Sequence, residues 1–357
     1  MLKNRKCSYC DEELIENRCK ECDSPYRISE GWTSGDVCID TFIKDTMYKA
    51  RNGGRWLEWI SFDRIIDIEL YEDGFDKVYV AVWLDGRDNY LEQNGSLKNE
   101  PQPVKVFLKQ FNLLTNCLNE IKNHWEFFNI DVAISSKFYG MSKHPETQEF
   151  IMVTHYGNQK SLRTLLENDK KLLWKQKIEI LRDTSFKLKK LHELGYSHNN
   201  FHYGSIMLDD DSKIYITNFK LTQSIKQRIA PNNKVLELMP YIAPEIIKGE
   251  SYSLASDIYN FGIVMIEFST GKCLFENKVR PEFGKGTPEI YKDFVNKCIN
   301  VNPDRRPTAP GLYKQLKFWY KCIIGDCAEF DKYGEMVKSA FDNADNYNDE
   351  DVEGNYI

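Results

Sequence analysis

Four cysteines near the start of the chain have the type and spacing of a metal site. Cys7, Cys10, Cys19 and Cys22 form C-x2-C-x8-C-x2-C, two tight knuckles whose thiolates can converge tetrahedrally on one Zn²⁺. The segment between them, DEELIENR, cannot build a core alone, so the metal would supply its folding free energy. Four sulfurs leave no open coordination position, which makes such a site structural and not catalytic. The other readings of these residues are four unrelated reduced thiols or a redox pair. Cys38, Cys117, Cys273, Cys298, Cys322 and Cys327 are scattered and read as ordinary buried or free thiols. His124, His144 and His192 read as plain surface or core residues, and no Ser-His-Asp or metal-hydrolase arrangement competes.

Any further chemistry needs elements to carry it. Of the 357 residues 41% are hydrophobic and 29% charged, ordinary values for a globular chain, and no apolar run is long enough to span a bilayer. The start, MLKNRKCSYCDEEL, lacks the apolar stretch of a secretory signal, so the expected compartment is the cytoplasm, with the nucleus as the other option. The formal charge is −6, but Asp326 to Ile357 holds ten acids and two lysines, which leaves the remainder near +2. That balance gives no case for nucleic acid, and the aromatic residues read as core without a basic stripe beside them. The acidic end is expected to be a solvated or docking tail, partly disordered over residues 321–357.

Along the chain, residues 27–63 look helical in part (IDTFIKDTMYKA) and read as a lead-in. From Ile65 to Phe107 the pattern turns to strands, interrupted by DGRDNYLEQNGSLKNEPQ, whose Asp-Gly and Asn-Gly pairs mark an inserted hairpin or loop. Asn112 to Asn129 has helical periodicity. After Leu172 the chain is mainly helical: WKQKIEILRDTSFKLKKLHELG places Ile178, Leu181, Leu188 and Leu191 near one face, with Gly195 as the stop. Short strands are expected around SIMLDD and KIYITNF, and helices starting near Ser256, Pro288 and Pro310. No internal repeat is visible.

Three motifs of the second half fall in register with the protein-kinase signature: Ala243-Pro244-Glu245, then SDIYNFG from Ser256 to Gly262, then NPDRRP from Asn302 to Pro307. The resemblance implies an α+β, bilobal kinase-like fold with a small β-rich lobe and a large helical lobe. It places a kinase-like domain at 64–320, its lobes dividing near 157, behind a knuckle at 1–26. It implies that Glu245 pairs with Arg306 and that Asp257 holds the catalytic loop from below. Those scaffold residues are present; the residues of phosphate chemistry are mostly replaced. In HELGYSHNNFHYGSIMLDD, His198 fits the loop's histidine, but the acid that accepts the substrate's proton is Asn200, and the Mg²⁺-binding Asn is Ser205. An amide has no useful proton affinity near neutral pH, so general-base help of about 10²–10⁴-fold is lost. Asn218 stands for the metal-chelating Asp, with Lys220 beside it. His202 stands where the loop usually has Lys, and His198 reads as a packing residue more than a base.

The glycine-rich loop maps to Tyr71-Glu72-Asp73-Gly74-Phe75-Asp76-Lys77-Val78, so all three signature glycines are Tyr71, Asp73 and Asp76. Val104-Lys105-Val106-Phe107 matches the strand of the phosphate lysine, making Lys105 the candidate and Glu120 its ion-pair partner; Lys109 is a second lysine in the same strand. Thr154 takes the gatekeeper position and Tyr156 follows at the hinge, so Lys105, Glu120, Gly74, Thr154 and Tyr156 outline a residual nucleotide cleft. With the cysteine-rich start, GWTSGDVCIDTFI, WLEWISFDRI and FHYGSI, the chain resembles the tyrosine-kinase-like Ser/Thr kinases expanded in arbuscular mycorrhizal fungi. It is short where related kinases carry an extra helix before TPEIYKDF. From Ile225 to Pro240 no Ser or Thr occurs, which argues against switching by phosphorylation there. The expectation is a pseudokinase: a scaffold or allosteric partner of other proteins, active kinases among them, with no nucleic acid or membrane. Structural zinc is expected and ATP with Mg²⁺ is doubtful. The rival readings are a weak, atypical Ser/Thr kinase using the Lys105–Glu120 pair and a degenerating gene product.

Overall fold

The computed structural model describes residues 14–15, 18–19, 31–50, 55–73, 77–86, 89–93, 96–100, 102–111, 117–130, 137–156, 160–168, 172–209, 213–217, 241–271, 282–326 and 332–347. The chain divides into two compact units, Met1–Val132 with Ser136–Gly157, and Ala133–Ser135 with Asn158–Ile357. The first holds the long strands and two long helices and the second most of the long helices, the mixed α+β composition expected of a kinase domain.

In the first unit, β1 (Leu14–Ile15) and β2 (Arg18–Cys19) form a separate antiparallel hairpin. The main sheet has six strands in the order β3-β9-β10-β8-β5-β4. These are β3 (Glu58–Trp59), β4 (Ile65–Asp73), β5 (Lys77–Trp83), β8 (Val104–Phe111), β9 (Phe138–Lys143) and β10 (Phe150–His155). Only the β3–β9 pair is parallel. There Gly140 lies directly against Glu58, and a Cβ on it would sit 2.0 Å from the Glu58 carbonyl oxygen, so no side chain fits. Between β5 and β8 the insertion forms its own hairpin, β6 (Asn89–Gln93) with β7 (Ser96–Glu100), leaving Asn94-Gly95 between the last paired residues. Its ends are clasped where the Gln102 N–H donates to the Asp85 carbonyl (3.2 Å).

Strand β10, FIMVTH, reads as a continuous apolar run because both of its faces are covered. Phe150 and Met152 turn to one core with α1 (Val37–Lys49) and α2 (Cys117–Ile130), through Ile39, Ile43, Met47, Ile121, Trp125 and Phe128. Ile151 and Val153 turn to the other, with Val106, Leu108, Ala81, Trp83 and Tyr139. The segment 27–63, expected as a lead-in, thus contributes core to this unit. Its helix α1 presents Ile39, Ile43 and Met47 at i, i+4 and i+8, an apolar stripe that needs a partner.

In the second unit β11 (Lys160–Ser161) opens a three-stranded sheet, order β11-β12-β13, with β12 (Ile206–Leu208) and β13 (Ile214–Ile216). Helix α3 (Leu162–Asn168) follows β11. Helix α4 (Trp174–Glu193) buries Ile178, Leu181, Leu188 and Leu191 on the face read from sequence, and Gly195 follows at φ +82°, a left-handed position favouring glycine. After α5 (Pro244–Ile247), helix α6 (Leu254–Thr270) is buried nearly all round, as its run FGIVMIEF requires. Then come α7 (Glu289–Cys298), α8 (Ala309–Ile324) and α9 (Lys332–Asp345).

The domain end expected at residue 320 falls inside α8, and part of the expected acidic tail is α9. Its Val337 and Phe341 are buried, with Phe341 against Trp174 (5.5 Å between ring centroids) and Trp319 (5.6 Å). Asp345 accepts the free N–H of Trp174 at the start of α4, at 2.7 Å. No helix among the described residues is long and apolar enough to cross a membrane.

Candidate functional site

The loop between α4 and β12 carries His198, Asn200 and Ser205. It follows a helix end and must reverse over buried ground, so its main-chain donors need partners. Asp257, on the first turn of α6, supplies them: its carboxylate accepts from the N–H groups of His198 (2.7 Å) and Asn199 (3.0 Å), and from His192 Nε2 (2.9 Å). The carboxylate is fully buried, and these donors replace the water it loses. Asn199 sits at φ +61°, a left-handed turn that asparagine tolerates, and the Asp257 bonds hold it there.

His198 is buried. Its Nδ1 receives the Asn200 N–H (3.3 Å) and its Nε2 donates to the Thr217 carbonyl (2.9 Å), which commits both nitrogens to the main chain of a neutral ring. That is a packing role. The Asn200 amide lies 3.4 Å from His202 Nε2, and His202 Nδ1 accepts the Gly204 N–H at 3.1 Å. Ser205 has its hydroxyl donating to the His202 carbonyl (2.7 Å) while receiving the His202 N–H (3.1 Å). A hydroxyl so engaged, and buried, serves the turn it sits in. Asn218 lies outside the described residues.

Glu245 at the start of α5 and Arg306 beyond α7 form a buried bidentate pair, 2.6 and 2.7 Å between the facing N and O atoms. Ser256 Oγ donates to the same carboxylate (3.2 Å), and Arg306 also reaches the carbonyls of Ala255 (2.9 Å) and Asn300 (2.8 Å). Burial pushes the Glu245 carboxyl up, but the Arg306 hydrogen bonds outweigh it and hold the group below the usual carboxylate value. The pair ties residues 61 apart in sequence and fixes the start of α5 to α6.

In the first unit the lysine expectation needs correcting. Lys105 is exposed, with Nζ 5.7 Å from the Tyr156 ring centroid, whereas Lys109 is 5% exposed. Both lie on the same side of β8, since alternate residues share a face. Lys109 pairs directly with Met152, which packs in the α2 core, so Lys109 is the lysine on the α2 side. The signature V-A-I-K therefore falls on Val106-Phe107-Leu108-Lys109, two residues beyond the frame read from sequence. Glu120 stands one residue before the buried Ile121 on α2; its side chain is outside the described residues. Thr154 is buried and pairs with Phe107. Tyr156 follows β10, its N–H donating to the Lys105 carbonyl (3.4 Å). Gly74, Cys7, Cys10 and Cys22 lie outside the described residues, as does the side chain of Cys19. The sequence reading missed Phe107 and His192. The V-x-Φ-K spacing ending at Lys109 was the available signal for the first, and nothing local marked the second.

A strand-rich unit, a helical unit, a loop hung from a buried carboxylate and a buried Glu–Arg tie define a kinase-fold protein. The pattern of the protein kinase domain matches residues 109–318, more than half of the chain, and the chain belongs to that family. It is 29% identical over 184 residues to a probable serine/threonine-protein kinase of Dictyostelium discoideum, covering 48% of this chain and 18% of that protein. It is 26% identical over 234 residues to the mixed lineage kinase domain-like protein of Mus musculus (60% of this chain, 48% of that one). To the dual specificity protein kinase shkA of Dictyostelium discoideum it is 26% identical over 257 residues (66% and 47%). The chain thus spans about half the length of these relatives or less.

Proposed function

We propose that this chain is a pseudokinase, a kinase fold kept as a scaffold or allosteric partner for other proteins after losing phosphate transfer. The reading places it nearest the tyrosine-kinase-like group, with the cytoplasm as its compartment. The observation that carries it is the state of the loop: Asn200 offers an amide where a base is needed, and Ser205 spends its hydroxyl on the His202 turn. Around it, Asp257, Glu245 and Arg306 keep the scaffold bonded. The similarity to a protein named kinase domain-like fits the same reading. Incubation of the purified chain with radiolabelled ATP, Mg²⁺ or Mn²⁺ and a generic protein substrate is expected to give no incorporation above a protein-free control. Incorporation abolished by Lys109→Ala would instead establish the second reading, a weak atypical Ser/Thr kinase, which the buried Lys109 favours.

The cysteine knuckles belong to the proposal as well. The β1–β2 hairpin pairs Leu14 with Cys19, so the chain reverses direction between the two C-x2-C pairs of the sequence. Four thiolates from Cys7, Cys10, Cys19 and Cys22 would hold Zn²⁺ and staple a hairpin too short to persist alone. Elemental analysis of protein prepared without chelator is expected to find one zinc per chain, lost in Cys7→Ser/Cys10→Ser. Absence of zinc from the unaltered protein overturns this part.

A further inference from the structure

Three aromatic rings close on one another against one face of the first unit's sheet. Phe107 lies 5.0 Å from Tyr71 and 4.9 Å from Tyr156, centroid to centroid, and Tyr71 lies 6.4 Å from Tyr156. All three contacts are edge-to-face, at 63°, 65° and 87°, the arrangement that ring quadrupoles favour. Phe107 is 6% exposed, and Lys105 covers the outer ring of Tyr156.

The place of this triangle gives it meaning. Residues two apart on a strand share a face, so Phe107 lies on the Lys109 side of β8. In kinases that lysine contacts the nucleotide phosphates, and the residue two before it, an alanine in V-A-I-K, leaves the same face open. Here that residue is a phenylalanine. Tyr71 stands at the first glycine of the phosphate loop, a second replacement of an absent side chain by a ring. A flat base held between two rings needs their planes about 7 Å apart, twice an ordinary carbon–carbon contact. Separations of 4.9 and 5.0 Å leave no such gap.

We propose that Phe107, Tyr71 and Tyr156 form a built-in plug that occupies the place of a purine base on this sheet. The plug excludes nucleotide independently of the missing phosphate and metal ligands. This rests on the pseudokinase reading only for which side of the sheet a nucleotide would use. Phe107 is the keystone, since it touches both other rings.

The test is calorimetric titration with adenosine, which has no phosphates and needs no metal, and so bypasses every other loss. The unaltered protein is expected to show no saturable binding. Phe107→Ala, or Phe107→Val where a β-branched residue is needed to keep the strand folded, is expected to bind adenosine about tenfold more tightly or better, the gain from freeing one stacking surface. Tyr71→Ala, at a less buried ring, is expected to show a smaller gain. Saturable adenosine binding by the unaltered protein overturns the plug, as does a folded Phe107 variant that gains nothing. Nucleotide binding by the unaltered protein without phosphate transfer would end the plug and leave the pseudokinase reading intact; measured phosphate transfer would end both.

Discussion

At the scale of single residues, this chain separates the groups that hold a kinase loop from the groups that would use it. Arg306 shows how much the first kind matters. Its guanidinium meets Glu245 through two hydrogen bonds and two further carbonyls, all in a buried site. Arg306→Ala leaves the Glu245 carboxylate buried without its partner, a loss expected to cost about 3–5 kcal/mol, read as a fall in the urea midpoint. Arg306→Lys recovers little, because an ammonium cannot reproduce the planar fork. The same pair gives a pH signature. The folded carboxyl of Glu245 titrates below its unfolded value, so its contribution is complete above the unfolded pKa and is lost as pH falls through the folded one. The stability gap between the unaltered protein and Glu245→Gln is therefore expected to be constant near neutrality and to narrow in acid. Denaturant midpoints taken at a series of pH values check it; a gap that widens in acid would contradict the assignment. Glu245, Asp257 and Arg306 were legible because each is a charged residue inside an ordered motif. The choice between Lys105 and Lys109 was not, because both lie on one face of β8 and fit a loose match to the motif, and only the packing over that face buries one of them.

At the scale of elements, the strands and long helices announced themselves by period. Strand β5, the inserted hairpin of β6 and β7 and the Ile178-Leu181-Leu188-Leu191 face of α4 all appear where they were read. Helix α9 was hidden by its own charge. Averaged over the last thirty-odd residues the composition is acidic, yet Val337 and Phe341 stand at i and i+4, an apolar pair on one helical face. What Phe341 packs on, the Trp174 and Trp319 rings, comes from α4 and the preceding helix α8 and has no local signal. Phe341→Ala would empty part of that aromatic core and is expected to cost about 3–5 kcal/mol, measurable as a lower thermal midpoint. Exposed neighbours on α9 such as Lys338, paired with Asp342 at 2.9 Å on the surface, should change stability by no more than about 0.5 kcal/mol when replaced by alanine.

At the scale of the whole molecule, the replaced signature positions are dispersed over both units. Tyr71 and Asp73 lie on β4, Phe107 on β8, and Asn200 and Ser205 in the second unit. One reversal cannot repair them. Asn200→Asp is expected to leave phosphate incorporation at background, with Mg²⁺ or Mn²⁺; a clear gain from that single change would mean the remaining site is competent after all. The bond between Trp174 and Asp345 has a consequence for how the protein is made. The first turn of α4 waits for an acceptor 171 residues further along the chain. At translation speeds of 5–20 residues per second the interval is roughly 10–30 s. Through that time the nascent second unit carries Trp174 without the α9 ring that packs on it. The first unit, whose chain is complete by Gly157, has no such wait. Synthesis therefore orders the two halves, with the strand-rich unit complete before the bond that opens α4 can form.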